Sequence, residues 1–318
     1  MTEQPIHPTY LWWNGKRQRW EDATIHVTEI GWSTVGAVFE GIRAYWDDQS
    51  EELFIFRLRE HLDRLAQSMK LVRLSLDYSA DALTEAILEL LRANESRADT
   101  YIRPLGYAAG SIGKRFAQLG QESALLINTS PMPSHLLTGL TQTAKVSSWR
   151  RVSDEIMPPR IKNLSNYRNG QLAGMEARND GYDTALLLNT QGTVAEAPGA
   201  CVMHVRGGRL ITPDVTSSIL ESITRDALII LARESLGLEV VERPVDRTEL
   251  LLADEVFLCG TAAEITPIVS IDKYEIGNGE IGPVTRRLEQ VFHDVLRGRE
   301  GHFADWRTPV GVRAAVPA

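Results

Sequence analysis

An α+β fold in two domains is what this sequence predicts, and three observations carry that expectation. The chain of 318 residues exceeds a single small module, at roughly 100–200 residues per domain. Helical and strand patterns alternate irregularly and are broken by hairpins, which argues against a doubly wound parallel sheet. A turn-rich stretch with two prolines, Ser130-Pro-Met-Pro-Ser-His135, separates two halves that each carry their own strands and helices. A small α/β domain is expected at residues 1–129, an interdomain loop at 130–138 and a larger α+β domain at 139–318.

Residues 10–57 read as short strands and turns. Tyr10-Leu11-Trp12-Trp13 runs into Asn14-Gly15, a pair that suits a hairpin turn needing positive φ at both central residues. Leu58, Leu62, Leu65 and Met69 recur at helical spacing and predict a helix over 58–72. Leu83, Ile87, Leu90 and Leu91 predict a second over 81–93, and 101–107 and 124–128 read as strands. The second half is expected to open in strands and loops. Hairpins then turn at Asn189–Gly192 and at Gly207-Gly208. A helix over 223–236 has Ser222 as N-cap and Gly237 as its stop. Strands are expected at 239–243, 255–259 and 268–271. Pro283 opens a last helix whose stripe is Val284, Leu288, Val291, Phe292 and Val295. The tail beyond Gly298 is expected to be loosely held.

Composition narrows the function classes. Hydrophobic residues make up 43% and charged residues 24%, as in ordinary globular proteins, so disordered, collagen-like and fibrous chains are excluded. A net charge of −8 makes nucleic acid and anionic membranes poor partners. No apolar run approaches the roughly 20 residues of a bilayer span. The Met-Thr-Glu-Gln-Pro start has no signal-peptide character, so a cytoplasmic protein is expected. Cys201 and Cys259 fit neither a Cys-x-x-Cys nor a secreted disulfide pattern and read as reduced, buried strand residues. No two histidines stand at metal-ligand spacing, so no protein-bound metal is expected.

Some motifs need chemistry to be weighed. Gly110-Ser-Ile-Gly-Lys114 imitates a phosphate loop, but Ala108 stands where its first glycine belongs and Arg115 where a magnesium-binding hydroxyl belongs. A Gly-x-Ser-x-Gly elbow is absent. Lys162 sits in Arg160-Ile-Lys-Asn-Leu-Ser-Asn-Tyr167; read alone it is an ordinary surface charge. Arg64 lies beside the buried stripe of its helix, where its planar fork suits either a phosphate dianion or an ion pair with Asp63 or Glu60. Ser222-Ile-Thr-Arg-Asp opens a helix, whose first N–H groups suit phosphate. Glu196, alone, reads as a solvated carboxylate at the end of a hairpin strand.

Taken together, these residues resemble the class IV (fold type IV) pyridoxal-phosphate aminotransferases, most closely the branched-chain amino acid aminotransferases. The resemblance runs from about Tyr10 to Gly298. It is carried by Val38-Phe-Glu-Gly-Ile-Arg-Ala-Tyr45, His61-Leu-Asp-Arg-Leu65, Tyr101-Ile-Arg-Pro104, Lys162 with Asn166-Tyr167, Ile223-Thr-Arg-Asp-Ala227, and Ala253-Asp-Glu-Val-Phe257 leading into Gly260-Thr-Ala-Ala-Glu-Ile-Thr-Pro267. It implies a two-domain fold of the D-amino acid aminotransferase type and pyridoxal 5′-phosphate as cofactor. The implied reaction is ping-pong transfer of an amino group from an L-amino acid to a 2-oxo acid such as 2-oxoglutarate.

The resemblance also implies roles. Lys162 is the Schiff-base lysine and proton carrier. Glu196 partners the ring nitrogen, Tyr167 donates to the ring 3′-oxygen, and Leu220 packs on a ring face. Arg64, the Ile223 and Thr224 amides, and Thr261 form the phosphate cup. Tyr101 and the Thr261-Ala262 turn bind the α-carboxylate, Arg103 meets the second carboxylate of glutamate, and Phe39, Gly41 and Arg43 line the substrate pocket. A homodimer or higher oligomer is implied, because each pocket in the family is completed by a neighbouring subunit. The chain departs from the family pattern at Thr34-Val35, Ala195, Ala200-Cys201 and Ser222, and residues 131–138 lack the usual pocket-closing aromatics. A wider, less selective apolar pocket is therefore expected. D-amino acid and (R)-amine aminotransferases, an aminodeoxychorismate lyase and a cofactor-binding protein with negligible turnover are the alternative readings.

Overall fold

The computed structural model describes residues 7–109 and 123–311; the Gly110–Lys114 motif lies outside the described residues. The chain forms two compact units. The first comprises Met1–Ser134, Ile161–Ser165 and Val295–Ala318, the second His135–Arg160 and Asn166–Asp294. The chain thus passes between them repeatedly, an arrangement that linear boundaries do not express.

The first unit opens with β1 (Tyr10–Trp13) and β2 (Lys16–Arg19), joined at Asn14 and Gly15 with φ of 47° and 86°. Then follow α1 (Ile30–Val35), β3 (Val38–Phe39), β4 (Ile42–Asp47) and β5 (Glu52–Phe56). Helices α2 (Leu58–Leu71) and α3 (Ala80–Ala93) precede the long hairpin strands β6 (Thr100–Ala108) and β7 (Ser123–Pro131). Among the described residues these strands and Arg307–Pro309 make an eight-stranded sheet. Ile42, Ala44, Leu53, Ile55, Ile102, Leu125 and Ile127 share one core with the leucine stripes of α2 and α3. Because strand side chains alternate, Arg43, Tyr101 and Arg103 fall on the opposite face.

The tail is a correction. Among the described residues beyond Gly298 the chain is not loosely held: a short 3₁₀ segment, Gly301–Trp306, leads into Arg307–Pro309, which pairs antiparallel with Phe54–Phe56. The aromatic rings explain it, since Phe303 is buried and Trp306 packs against both Phe303 and Phe56.

The second unit contains β8 (Gln142–Arg150), α4 (Leu164–Asn179, its first two residues belonging to the first unit), β9 (Thr184–Leu188), β10 (Glu196–Ala197), β11 (Ala200–Arg206) and β12 (Arg209–Thr212). It continues through α5 (Ile223–Glu234), β13 (Val240–Glu242), α6 (Arg247–Leu251), β14 (Glu255–Gly260), β15 (Glu264–Ile271), β16 (Tyr274–Glu275) and α7 (Pro283–Leu296, its last two residues belonging to the first unit). Its nine described strands form a mixed sheet, with β12–β13, β8–β15 and β8–β9 parallel. Helix α4 stands where strands and loops were expected. Its buried face is Gly170, Ala173, Gly174 and Ala177, so it has no large apolar stripe to announce it. A Cβ on Gly170 would come within 2.7 Å of the Pro198 carbonyl oxygen, so glycine there permits the close approach. Among the described residues no helix is long and apolar enough to cross a membrane.

Candidate active site

In the first unit, backbone contacts fix the segment that carries Lys162. Its carbonyl accepts from the Phe39 N–H at 3.0 Å, Asn163 bridges Val38, and the Leu164 N–H donates to the Ala37 carbonyl at 2.9 Å. The Lys162 N–H donates to Ser68 Oγ on α2 at 3.3 Å. Its side chain is partly buried, with Nζ 4.9 Å from the centroid of the Phe39 ring.

Arg64 takes neither of the carboxylates nearest in sequence. Arg57 pairs with Glu60 at 2.6 Å and Arg59 with Asp63 at 3.2 Å. Arg64 instead makes a two-point pair with Glu40, Nε to Oε1 at 2.7 Å and Nη2 to Oε2 at 2.8 Å. His61 Nδ1 lies 2.8 Å from the same Oε2. Burial would raise the Glu40 carboxyl, but Arg64 and His61 outweigh it and hold it at about 2. Glu40 is therefore an acceptor only, and His61 Nδ1 carries the proton between them. Burial lowers His61 and, with the charges of Arg64 and Lys162, outweighs the Glu40 carboxylate that would raise it, so its imidazole is neutral at neutral pH.

Arg43 faces Tyr101 across the β4–β6 pair. It is buried, donates from Nη2 to the Met132 carbonyl at 2.5 Å, and stacks 4.8 Å from the centroid of Tyr45. Tyr101 lies over Gly41, where a Cβ would come within 2.3 Å of its hydroxyl. Arg103, two residues along the same strand face, is exposed.

In the second unit, Glu196 is not solvated: it is 6% exposed and each oxygen is held. Oε1 accepts from Arg151 Nε at 2.7 Å, and Oε2 accepts from the Leu220 N–H at 2.9 Å. Arg151 is itself buried, with Nη1 3.5 Å from the Asn166 carbonyl. Tyr167 follows Asn166 on α4 and is partly buried. Ser222 caps α5, accepting from the Arg225 N–H at 3.2 Å, which presents Ile223 and Thr224 at the helix start. Thr261 and Ala262 form the turn between β14 and β15, with Ala262 exposed. His135 secures that turn: its N–H donates to Glu264 at 2.9 Å and Nε2 lies 2.9 Å from the Ala263 carbonyl. Cys201 and Cys259 are buried and face each other across β11 and β14; burial pushes the Cys259 thiol well up.

Sequence reasoning assigned no role to Glu40, His61, Arg151 or His135. For Glu40 a signal existed, since an acid inside the apolar run Val38–Ile42 must find a buried partner. Arg151 has no such signal, because its partner lies 45 residues away.

The chain thus offers an amine, a buried guanidinium, a helix start and a carboxylate aimed by two donors. A family model described as amino-transferase class IV matches residues 37–271, the span that holds all of them. The chain belongs to the class IV aminotransferases. Enzymes of this class use pyridoxal 5′-phosphate, and the donor set fits that cofactor. Over 301 residues this aminotransferase is 41% identical to a branched-chain-amino-acid aminotransferase of Escherichia coli K12, covering 93% of this chain and 96% of that one. Its structure matches a branched-chain amino acid aminotransferase from Thermobaculum terrenum in its PLP form, with 52% identity, a TM-score of 0.93, and coverage of 96% and 100%. A branched-chain aminotransferase from the thermophilic archaeon Thermoproteus uzoniensis, solved with norvaline, matches with 38% identity, a TM-score of 0.88, and coverage of 95% and 99%.

Proposed function

We propose that this aminotransferase moves an amino group from a branched-chain or similar apolar L-amino acid to a 2-oxo acid such as 2-oxoglutarate, in two half-reactions. The observation that carries the reading is Glu196, a buried carboxylate oriented by Arg151 and the Leu220 amide as the partner of a ring nitrogen. When bound, pyridoxal 5′-phosphate supplies an electron-accepting ring that spreads the negative charge developing at the amino acid's Cα. Lys162 Nζ would hold the cofactor covalently until the substrate's amino group takes its place, and the freed amine would then take the Cα proton and return it. Tyr167 donates to the ring 3′-oxygen and Leu220 covers a ring face. Arg64, the first amides of α5 at Ile223 and Thr224, and Thr261 hold the phosphate. Tyr101 and the Thr261-Ala262 turn receive the α-carboxylate, Arg103 a side-chain carboxylate, and Phe39 and Gly41 shape the wall. Arg43 lines the same pocket, its guanidinium held by the Met132 carbonyl and stacked on Tyr45.

Borohydride treatment of the purified protein, followed by peptide mapping, should fix the cofactor to the peptide containing Lys162. Label on another lysine overturns the assignment. Spectra recorded while single amino acids are added give the substrate order; a response to D-amino acids or (R)-amines but not to leucine, isoleucine or valine would move the chain to another branch of the family. We propose a homodimer as well. Trp20, Ile25, Val27, Ile30 and Val35 leave apolar surface exposed within sixteen residues, which suits a subunit contact. Light scattering should give twice the chain mass; a monomer at micromolar concentration excludes it.

A further inference from the structure

We infer that Glu40 and His61 are positioning residues for the cofactor's phosphate, acting through Arg64. The inference rests on the reading of Arg64 as a phosphate residue and adds how its guanidinium is aimed. Glu40 is fully buried, His61 is 1% exposed and Arg64 9% exposed, so none of the three is spread over solvent orientations. The Glu40 carboxylate takes the Nε–Nη2 edge of the guanidinium at 2.7 and 2.8 Å, and a planar fork held at that edge has its plane and the direction of Nη1 set. His61 Nδ1, at 2.8 Å from Glu40 Oε2, gives the oxygen that Arg64 Nη2 reaches a second partner.

The arrangement repeats along α2. His61, Arg64 and Ser68 are buried at i, i+3 and i+7 of one helix face, and Ser68 Oγ accepts from the Lys162 N–H. One helix face therefore orients both the guanidinium and the lysine-bearing segment. Glu40 is anchored independently, its N–H donating to the Pro104 carbonyl at 2.9 Å. A buried ion pair contributes little net stability against an apolar replacement, but a two-point pair with a third donor specifies direction. The role assigned to Glu40 and His61 is direction: Arg64 meets a dianion without reorganising.

The test separates phosphate from ring. Full-length apoenzyme is titrated with pyridoxal 5′-phosphate and, separately, with pyridoxal, and Kd is read from tryptophan fluorescence. Glu40→Gln presents an amide N–H₂ to the guanidinium and turns it, so Kd for pyridoxal 5′-phosphate should rise about 10–100-fold, the usual scale for losing the partner of a ligand-holding group. Kd for pyridoxal should stay within about twofold of wild type. His61→Leu should lose part of the same discrimination, and His61→Asn, which keeps a donor near the Nδ1 position, should restore it. Equal weakening of both ligands in Glu40→Gln and His61→Leu means a purely structural role and overturns the inference, as does unchanged phosphate affinity. If Glu40→Gln does not fold, the His61→Leu and His61→Asn comparison decides by the same criteria. Arg64→Gln distinguishes the levels: if it fails to discriminate the two ligands, the phosphate reading of Arg64 falls and this inference with it.

Discussion

Each oxygen of Glu196 already has one protein donor, so its direction is set before any ligand arrives. Replacing Glu196 by Gln should keep the cofactor bound while slowing the half-reaction by about 10²–10³-fold, the cost of losing preorganised electrostatics at a reacting centre. An unchanged single-turnover rate would assign the ring nitrogen another partner. Arg151→Leu is harsher, because it strands a buried carboxylate without its cation. Urea denaturation should show a loss of about 3–5 kcal/mol, together with a slower half-reaction. Loss of stability with an unaltered rate would make Arg151 a fold residue only. At this scale the sequence was partly legible. Lys162, Tyr167 and Glu196 were named through resemblance, yet Glu196 alone looked solvated. Its burial depends on Arg151 and Leu220, which no local spacing connects to it.

Elements were legible in proportion to the size of their buried side chains. Helices α2 and α3 carry leucine stripes, and their observed ends lie within one residue of those expected. The Asn14-Gly15 and Gly207-Gly208 turns have positive φ at both central residues, as their sequences suggested. Helix α4 was missed because glycine and alanine form its contact face, and the tail because a few aromatic contacts order it. That diagnosis predicts opposite responses at two glycines one turn apart. Gly170→Ala would drive a methyl to 2.7 Å from the backbone oxygen of Pro198, two residues from Glu196, so it should cost about 1–3 kcal/mol and slow catalysis. At Gly174 the nearest atom is the end of the flexible Arg178 side chain at 3.3 Å. Alanine there should be neutral or stabilising by up to about 1 kcal/mol, through helix propensity. Equal Tm shifts for the two variants would refute the close-packing account of α4.

For the molecule as a whole, its stability toward acid follows from its buried ionisable groups. His61 and His204 are both lowered by burial, so the unfolded chain binds their protons more readily than the folded one. Stability should therefore begin to fall as pH drops below about 6.5, the ordinary histidine value. Glu40 gives a second limb. Its folded value is about 2 against an ordinary 4.5, so its contribution is complete above 4.5 and is lost as pH falls from there toward 2. Full loss is worth roughly 3 kcal/mol, since each tenfold change in proton affinity corresponds to about 1.4 kcal/mol. Glu249, held down to about 2 chiefly by Arg243, acts in the same direction with some loss to solvent screening. Urea midpoints measured between pH 7 and 3 should trace both limbs. Glu40→Gln should start from a less stable state at pH 7 and decline less steeply below pH 4.5, while its slope between pH 6.5 and 5 stays close to wild type. If wild type and Glu40→Gln run parallel below pH 4.5, the charge of the Glu40–Arg64 pair does not govern the acid limb, and another carboxylate must.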